Sequence, residues 1–200
     1  METKSVHNYL KVISWLEKKG VELYGNNFKI HKEDHPIIYK LIAYFIKDEA
    51  TCLHFKIDPT KGIMLSGPVG CGKTSLMNLM KYLAPATHKF SVKPCRDISF
   101  EFIKDGYETI HKYSKTAPKT ICFDDLGTEN NLKYFGNECN VMAEILLSRY
   151  DLFTSRKLQT HITTNLSASE IEEAYGNRVR SRLRSTLNLI AFDKETKDKR

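Results

Sequence analysis

The chain has 200 residues, 41% of them hydrophobic and 28% charged, with a formal net charge of +7. That length suits one α/β domain with a modest extension, and that balance excludes a disordered or fibrous chain. The five cysteines, Cys52, Cys71, Cys95, Cys122 and Cys139, are scattered without a C-x-x-C pair, which argues against a disulfide framework and a zinc site.

Residues 5–19 predict an amphipathic helix with Val6, Tyr9, Leu10, Ile13 and Leu16 on one face and Gly20 as its stop. Residues 1–9 lack the apolar stretch of a signal peptide, and no run is long enough to cross a bilayer. A cytoplasmic protein without a membrane partner is therefore expected. The lone Trp15 reads as part of a helix-packing face, and F-K-I at 28–30 as a short edge strand. Asp34 is placed to cap a second helix with Pro36 in its first turn. There the pairs Ile37/Ile38, Leu41/Ile42 and Phe45/Ile46 form an apolar stripe, expected to pack on the domain that follows.

From residue 61 strands and helices alternate. Strands are expected at 63–66, 89–92, 120–123, 159–163 and 187–192. Helices are expected at 73–83, 97–113 around Gly106, and 140–153. Ser167 and Glu170 form an S-x-x-E capping box for one more. This alternation implies an α/β domain with a mainly parallel sheet covered by helices on both faces.

Residues 67–74 read G-P-V-G-C-G-K-T and match the phosphate-loop pattern G-x-x-x-x-G-K-[ST] in full. Gly67, Gly70 and Gly72 let the backbone curl so that successive N–H groups face an anion. Pro68, Val69 and Cys71 complete the loop, and Ser75 follows it. Lys73 is expected to reach the outer phosphates, helped by the positive end of the helix that starts there. Thr74 supplies a hydroxyl to Mg²⁺. The second half of such a site is an acid at the end of a neighbouring strand, and I-C-F-D-D-L supplies Asp124 for the metal. Asp125 then polarises the attacking water, where many ATPases carry Glu. ATP and Mg²⁺ are the expected cofactors.

Residues 175–184 read Y-G-N-R-V-R-S-R-L-R. At about 100° per residue, Val179 and Leu183 share the core face of a helix. Arg178 and Arg182 then lie on one flank, Arg180 and Arg184 on the other. Taken with I-C-F-D-D-L-G-T-E, N-V-M-A-E-I-L-L-S-R-Y-D and T-H-I-T-T-N-L, and in this order, the blocks resemble the DnaC-type helicase loaders. Those are AAA+ ATPases, and the related IstB-type transposition helpers share much of the pattern. The resemblance covers roughly residues 60–193.

The resemblance implies an AAA+ P-loop NTPase fold over residues 61–193, after a helical extension at 1–60 and before a charged tail at 194–200. It implies a replication factor that binds and hydrolyses ATP to load a replicative DNA helicase. Single-stranded DNA and further copies of the chain would be its other partners. On matching positions it implies Asn165 as the residue that senses the γ-phosphate, with Thr164 assisting. It implies Arg182 as an arginine finger reaching the nucleotide of the next subunit, with Arg178 as the second candidate. Arg180 and Arg184 are left to pair with acids or to contact DNA. About 35 residues follow Asn165, fewer than the full helical lid of many AAA+ proteins, so no lid arginine is assigned. His161 reads as structural.

Two readings from other classes compete. A small-molecule kinase also carries a phosphate loop, but it needs an acceptor pocket and usually an arginine-bearing lid. A nucleotide-dependent binding module with little hydrolysis is compatible with Asp125, whose reach is shorter than that of Glu.

Overall fold

The computed structural model describes residues 2–116, 119–129, 132–134 and 137–199. The chain forms two compact units, one of Met1–Pro59 with Ser75–Lys89, the other of Thr60–Thr74 with Phe90–Arg200.

In the first unit helix α1 (Glu2–Tyr24) buries Tyr9, Ile13 and Leu16. Gly20 does not stop it. The helix runs on to Gly25, whose φ of +95° ends it in the left-handed region. The absent side chain at Gly20 instead makes room for Phe28, since a Cβ there would stand 2.1 Å from that ring. Residues 28–30 form no strand, and the Ile30 amide donates to the Glu17 carboxylate at 2.9 Å. Trp15 is 45% exposed, off the buried face of its helix.

Helix α2 (His35–Phe45) buries Ile38, Leu41, Ile42 and Phe45, while Ile46 lies beyond its end and is exposed. Pro36 occupies its first turn as expected, but the Asp34 side chain makes no capping bond. The cap is real one helix later. In α3 (Glu49–His54) the Asp48 carboxylate accepts from the Thr51 amide and hydroxyl and from the Tyr9 hydroxyl. Six residues are too few for periodicity to reveal α3 in sequence.

The second unit is built on a five-stranded parallel sheet. Its strands are β1 (Gly62–Ser66), β2 (Ser91–Pro94), β3 (Ile121–Leu126), β6 (Thr160–Thr164) and β7 (Leu187–Ala191). Across the sheet they run β2-β3-β6-β1-β7. The sequence reading makes β3 the neighbour of the phosphate-loop strand β1. The structure inserts β6 between them, so the two halves of the site are bridged by a third strand. A separate antiparallel pair, β4 (Leu132–Tyr134) with β5 (Asn137–Cys139), was not expected.

Helix α4 (Lys73–Met80) follows β1 through the phosphate loop. Helices α5 (Cys95–Asp105) and α6 (Tyr107–His111) are separated by Gly106 at φ +57°. Helix α7 (Val141–Arg156) is capped by Asn140, which accepts from the Ala143 amide. Helix α8 (Ala168–Thr186) opens on the expected capping box, with both Ser167–Glu170 bonds made. It kinks at Gly176, where φ is +83°. Ile98, Phe102, Phe123, Met142, Ile145 and Ile162 are fully buried in the core formed by α5, α7, α8 and the strands. Such burial contributes roughly 1.5–3 kcal/mol per large side chain.

Candidate functional site

Parallel strands end on one edge of the sheet, and in open α/β sheets that edge is where ligands bind. The phosphate loop leaves β1 at this edge. Gly70 and Gly72 hold φ values of +79° and +96°, a conformation that side chains with a Cβ rarely adopt. Val69 is exposed at the tip, whereas Cys71 is buried beneath the loop. Its thiol lies 3.8 Å from Lys73 Nζ, so it faces inward rather than standing free. Lys73 is only 5% exposed. Its ammonium donates to the carbonyls of Gly67 at 2.9 Å and Pro68 at 2.8 Å. Ser75 sits half-buried in the first turn of α4.

Asp124 and Asp125 occupy a bulge. Phe123 pairs with Ile162 and Leu126 with Thr164, so two residues of β3 face Thr163 alone. A bulge rotates its side chains out of strict alternation, and here it sends the two carboxylates in different directions. Asp124 is buried, while Asp125 is exposed with its backbone at φ +53°. Thr74 Oγ1 lies 3.0 Å from each oxygen of Asp124, so one hydroxyl is shared across the carboxylate.

Thr163 is the third member of the cluster. Its hydroxyl donates to Asp124 Oδ1 at 2.7 Å and accepts from the Asp125 amide at 2.8 Å. Sequence reasoning passed over Thr163, because which of two adjacent threonines faces the acid depends on strand register. Burial raises the Asp124 carboxyl above its ordinary value and the Asp125 charge adds to this, against the hydrogen bonds from Thr163 and Thr74 and the Lys73 charge. A carboxylate in that state gains by meeting a cation.

The remaining expected residues lie apart from this cluster. Asn165 is exposed at the end of β6, and among the described residues its side chain makes no hydrogen bond. Thr164 is buried and turned to the backbone, donating to the Leu126 carbonyl at 2.7 Å. His161 is structural: its Nδ1 accepts from the Ile63 amide at 3.0 Å and its ring packs edge-on against Phe90.

On α8 Val179 and Leu183 are buried, and the arginines divide as the helical geometry requires. Arg182 lies over the Tyr150 ring of α7, 4.5 Å from its centroid. Arg180 and Arg184 turn the other way, onto one apolar cavity with Leu187 and Leu189, and Arg180 also pairs with Glu172 at 2.5 Å. Arg178 is exposed. Among the described residues no arginine is seen hydrogen-bonded to Lys73, Thr74, Asp124 or Asp125.

No protein-family model matches the sequence, and no curated protein does either. Solved structures do match. The DnaC helicase loader superposes with a TM-score of 0.57 at 19% identity, over 82% of this chain and 92% of that one. DnaI gives 0.56 at 21% identity, over 82% and 87%. AMPPCP-bound DnaA from Aquifex aeolicus gives 0.55 at 16% identity, over 84% of this chain and 50% of that one. The fold of this chain, a parallel α/β sheet flanked by helices, is thus similar to the folds of the DnaC helicase loader, DnaI and DnaA.

Proposed function

We propose that the chain is an ATP-dependent DNA replication factor of the helicase-loader type. The observation that carries its nucleotide chemistry is the cluster of Thr74, Asp124 and Thr163 at the mouth of a phosphate loop. A hydroxyl and a carboxylate are hard oxygen donors of the kind Mg²⁺ takes beside phosphate. The raised state of Asp124 supports the same reading, since a metal there removes the cost of its buried charge.

Thr74 and Asp124 would hold the metal, and the amides of residues 70–74 with the Lys73 ammonium would hold the phosphates. Mg·ATP supplies the transferable phosphoryl group and neutralises charge on it. Asp125, exposed beside the cluster, accepts the proton of the attacking water, and Asn165 orients that water from the next strand end. Thr163 sets the position of both aspartates at once, through the side chain of one and the amide of the other. Arg182 and Arg178 serve the site of an adjacent copy, which fits a site where no described arginine bonds Lys73, Thr74 or the two aspartates. A replicative helicase and single-stranded DNA are the partners this reading assigns.

ATP turnover measured against protein concentration, with and without single-stranded DNA, tests the proposal. Turnover per subunit should rise with concentration and with DNA, and collapse in Arg182→Ala. Turnover independent of concentration and of Arg182 would instead indicate a self-contained NTPase. The exposed, left-handed Asp125 also keeps a nucleotide switch with little hydrolysis in view, and single-turnover hydrolysis separates that from the loader.

A further inference from the structure

Beyond β7 the chain turns back across the phosphate loop. Phe192 is buried, its amide donates to the Ser66 carbonyl at 2.8 Å, and a Cβ on Gly67 would stand 2.7 Å from Phe192 Cβ. Asp193 reverses the direction: its carboxylate accepts from the Glu195 amide at 2.9 Å and its carbonyl from the Thr196 amide at 3.1 Å. The returning arm of this turn is then pinned to the loop, where the Lys199 amide donates to the Gly70 carbonyl at 3.1 Å. The Lys199 ammonium also sits 5.5 Å from the centroid of the Phe192 ring.

This path brings the Asp198 carboxylate against Gly70. A Cβ added to Gly70 would meet Asp198 Cγ and Oδ1 at 2.2 Å and Oδ2 at 2.5 Å. The segment around it alternates Lys194, Lys197 and Lys199 with the acids Asp193 and Glu195. Of its acids, Asp198 is the one that lies at the turn whose glycines and amides select anions. A carboxylate and a nucleotide phosphate carry the same sign and the same oxygen chemistry, and they repel at close range.

We propose that residues 193–199 form an autoinhibitory strap, with Asp198 standing against the phosphate loop until nucleotide displaces it. The inference rests on the phosphate-loop reading above and adds a regulatory step to it. The contacts that hold the strap include a backbone hydrogen bond and a cation–π contact, and nucleotide opens it by taking the same anion site. When only the strap-open fraction binds, the apparent affinity falls by that fraction. A strap closed about nine-tenths of the time weakens nucleotide roughly tenfold.

Calorimetric titration of ADP into the full chain tests this, comparing wild type with Asp198→Asn. The variant keeps the side chain's size and removes its charge, and it should bind ADP roughly tenfold more tightly. Amide exchange at Thr196 and Lys199 should accelerate when the wild type is saturated with ADP. Unchanged or weaker ADP binding by Asp198→Asn overturns the strap, as does exchange at Lys199 that ignores ADP. Binding by the variant alone, with none by wild type, supports it in its strongest form. Lys73→Ala in both backgrounds keeps the two readings apart: binding that survives it, or no binding in either background, removes the phosphate-loop reading and the strap with it.

Discussion

The two ends of the parallel sheet each hold a buried polar cluster, and they are built on opposite terms. At the amino ends of the strands, Arg149 of α7 is 2% exposed. Its guanidinium donates to Thr160 Oγ1 at 2.6 Å and to the carbonyls of Tyr113, Lys119 and Gln159 at 3.0–3.1 Å. The same group lies over the Phe123 ring. Four of its five donors are used, all on fixed partners. At the carboxyl ends, Asp124 accepts from just two hydroxyls among the described residues, those of Thr74 and Thr163, and Lys73 is held by two carbonyls and the Cys71 thiol of its own loop. Asp125 and Asn165 stand exposed beside them. A closed cluster fixes the chain; an open one keeps bonding capacity for a ligand. Burial alone does not distinguish a structural charge from a functional one, but unspent hydrogen bonding does.

The strongest way to break this comparison is to empty the closed end. Arg149→Ala leaves three backbone carbonyls and a threonine hydroxyl without their donor, at about 1–3 kcal/mol for each group left buried. We expect a total loss of at least about 4 kcal/mol, read from urea unfolding of the full chain. Arg149→Lys should recover little, since one ammonium does not span four acceptors in a plane. A loss below about 1 kcal/mol would mean that the clip is not what holds these strand ends.

At the open end the expected effects fall on turnover instead. Thr163→Val keeps the volume but removes the donor to Asp124 and the acceptor for the Asp125 amide. Turnover should fall about 10- to 100-fold, in the range of a misplaced general base, while nucleotide affinity stays within about threefold. Thr163→Ser should restore most of the rate. Equal losses in the valine and serine variants would show that the packing of Thr163 matters and its hydroxyl does not.

Asp124→Asn sharpens the contrast further by separating stability from function. The folded Asp124 carboxyl is raised above its unfolded value, by burial first and the Asp125 charge second. A raised acid contributes stability that is present below the unfolded value and lost as pH rises through the folded one. At neutral pH its ionised form is therefore a cost. Asp124→Asn should raise the melting temperature of the ligand-free chain by about 2–4 °C at pH 7, the shift expected for about 1 kcal/mol. That gain should vanish below about pH 4, and Mg·ATP should stabilise only the wild type. A variant that melts lower at both pH values would place Asp124 among the structural groups.

How far these clusters could be read from the sequence follows the same division. The phosphate loop was legible because its chemistry is local: eight consecutive residues set its turn, its lysine and its hydroxyl. The S-x-x-E box at Ser167 was legible for that reason too, and both of its bonds are made. Thr163 was not, because its role depends on a bulge two strands from the loop. Nor was the position of β6 between β1 and β3, since strand order is a long-range property that alternation does not encode. Gly20 misled in the other direction. Its glycine serves a close approach by Phe28 rather than a helix end, and only the folded chain shows the ring that needs the space. Residues 194–200 read as a plain charged tail, although the Lys199 amide bonds the loop and Asp198 stands against it.

The smallest expected effect comes from a third cluster, which is neither closed nor open but wet. Glu101 of α5 accepts from Lys93 at 2.7 Å, Lys112 at 2.8 Å and the Tyr113 hydroxyl at 2.9 Å. Partial burial works to raise its carboxyl, but the bonds from Lys112, Lys93 and Tyr113 outweigh it and hold the value at about 2. A depressed acid contributes stability that is present above its unfolded value, about 4.3, and lost as pH falls toward the folded one. The stability difference between wild type and Glu101→Gln should therefore be constant above about pH 5 and shrink steadily toward about pH 2. Solvent screens such a network, so the plateau itself should be small beside the loss from Arg149→Ala. A plateau as large would put the division between clusters in charge rather than in closure. A difference that grows on acidification would reverse the sign and remove the three donors as its cause.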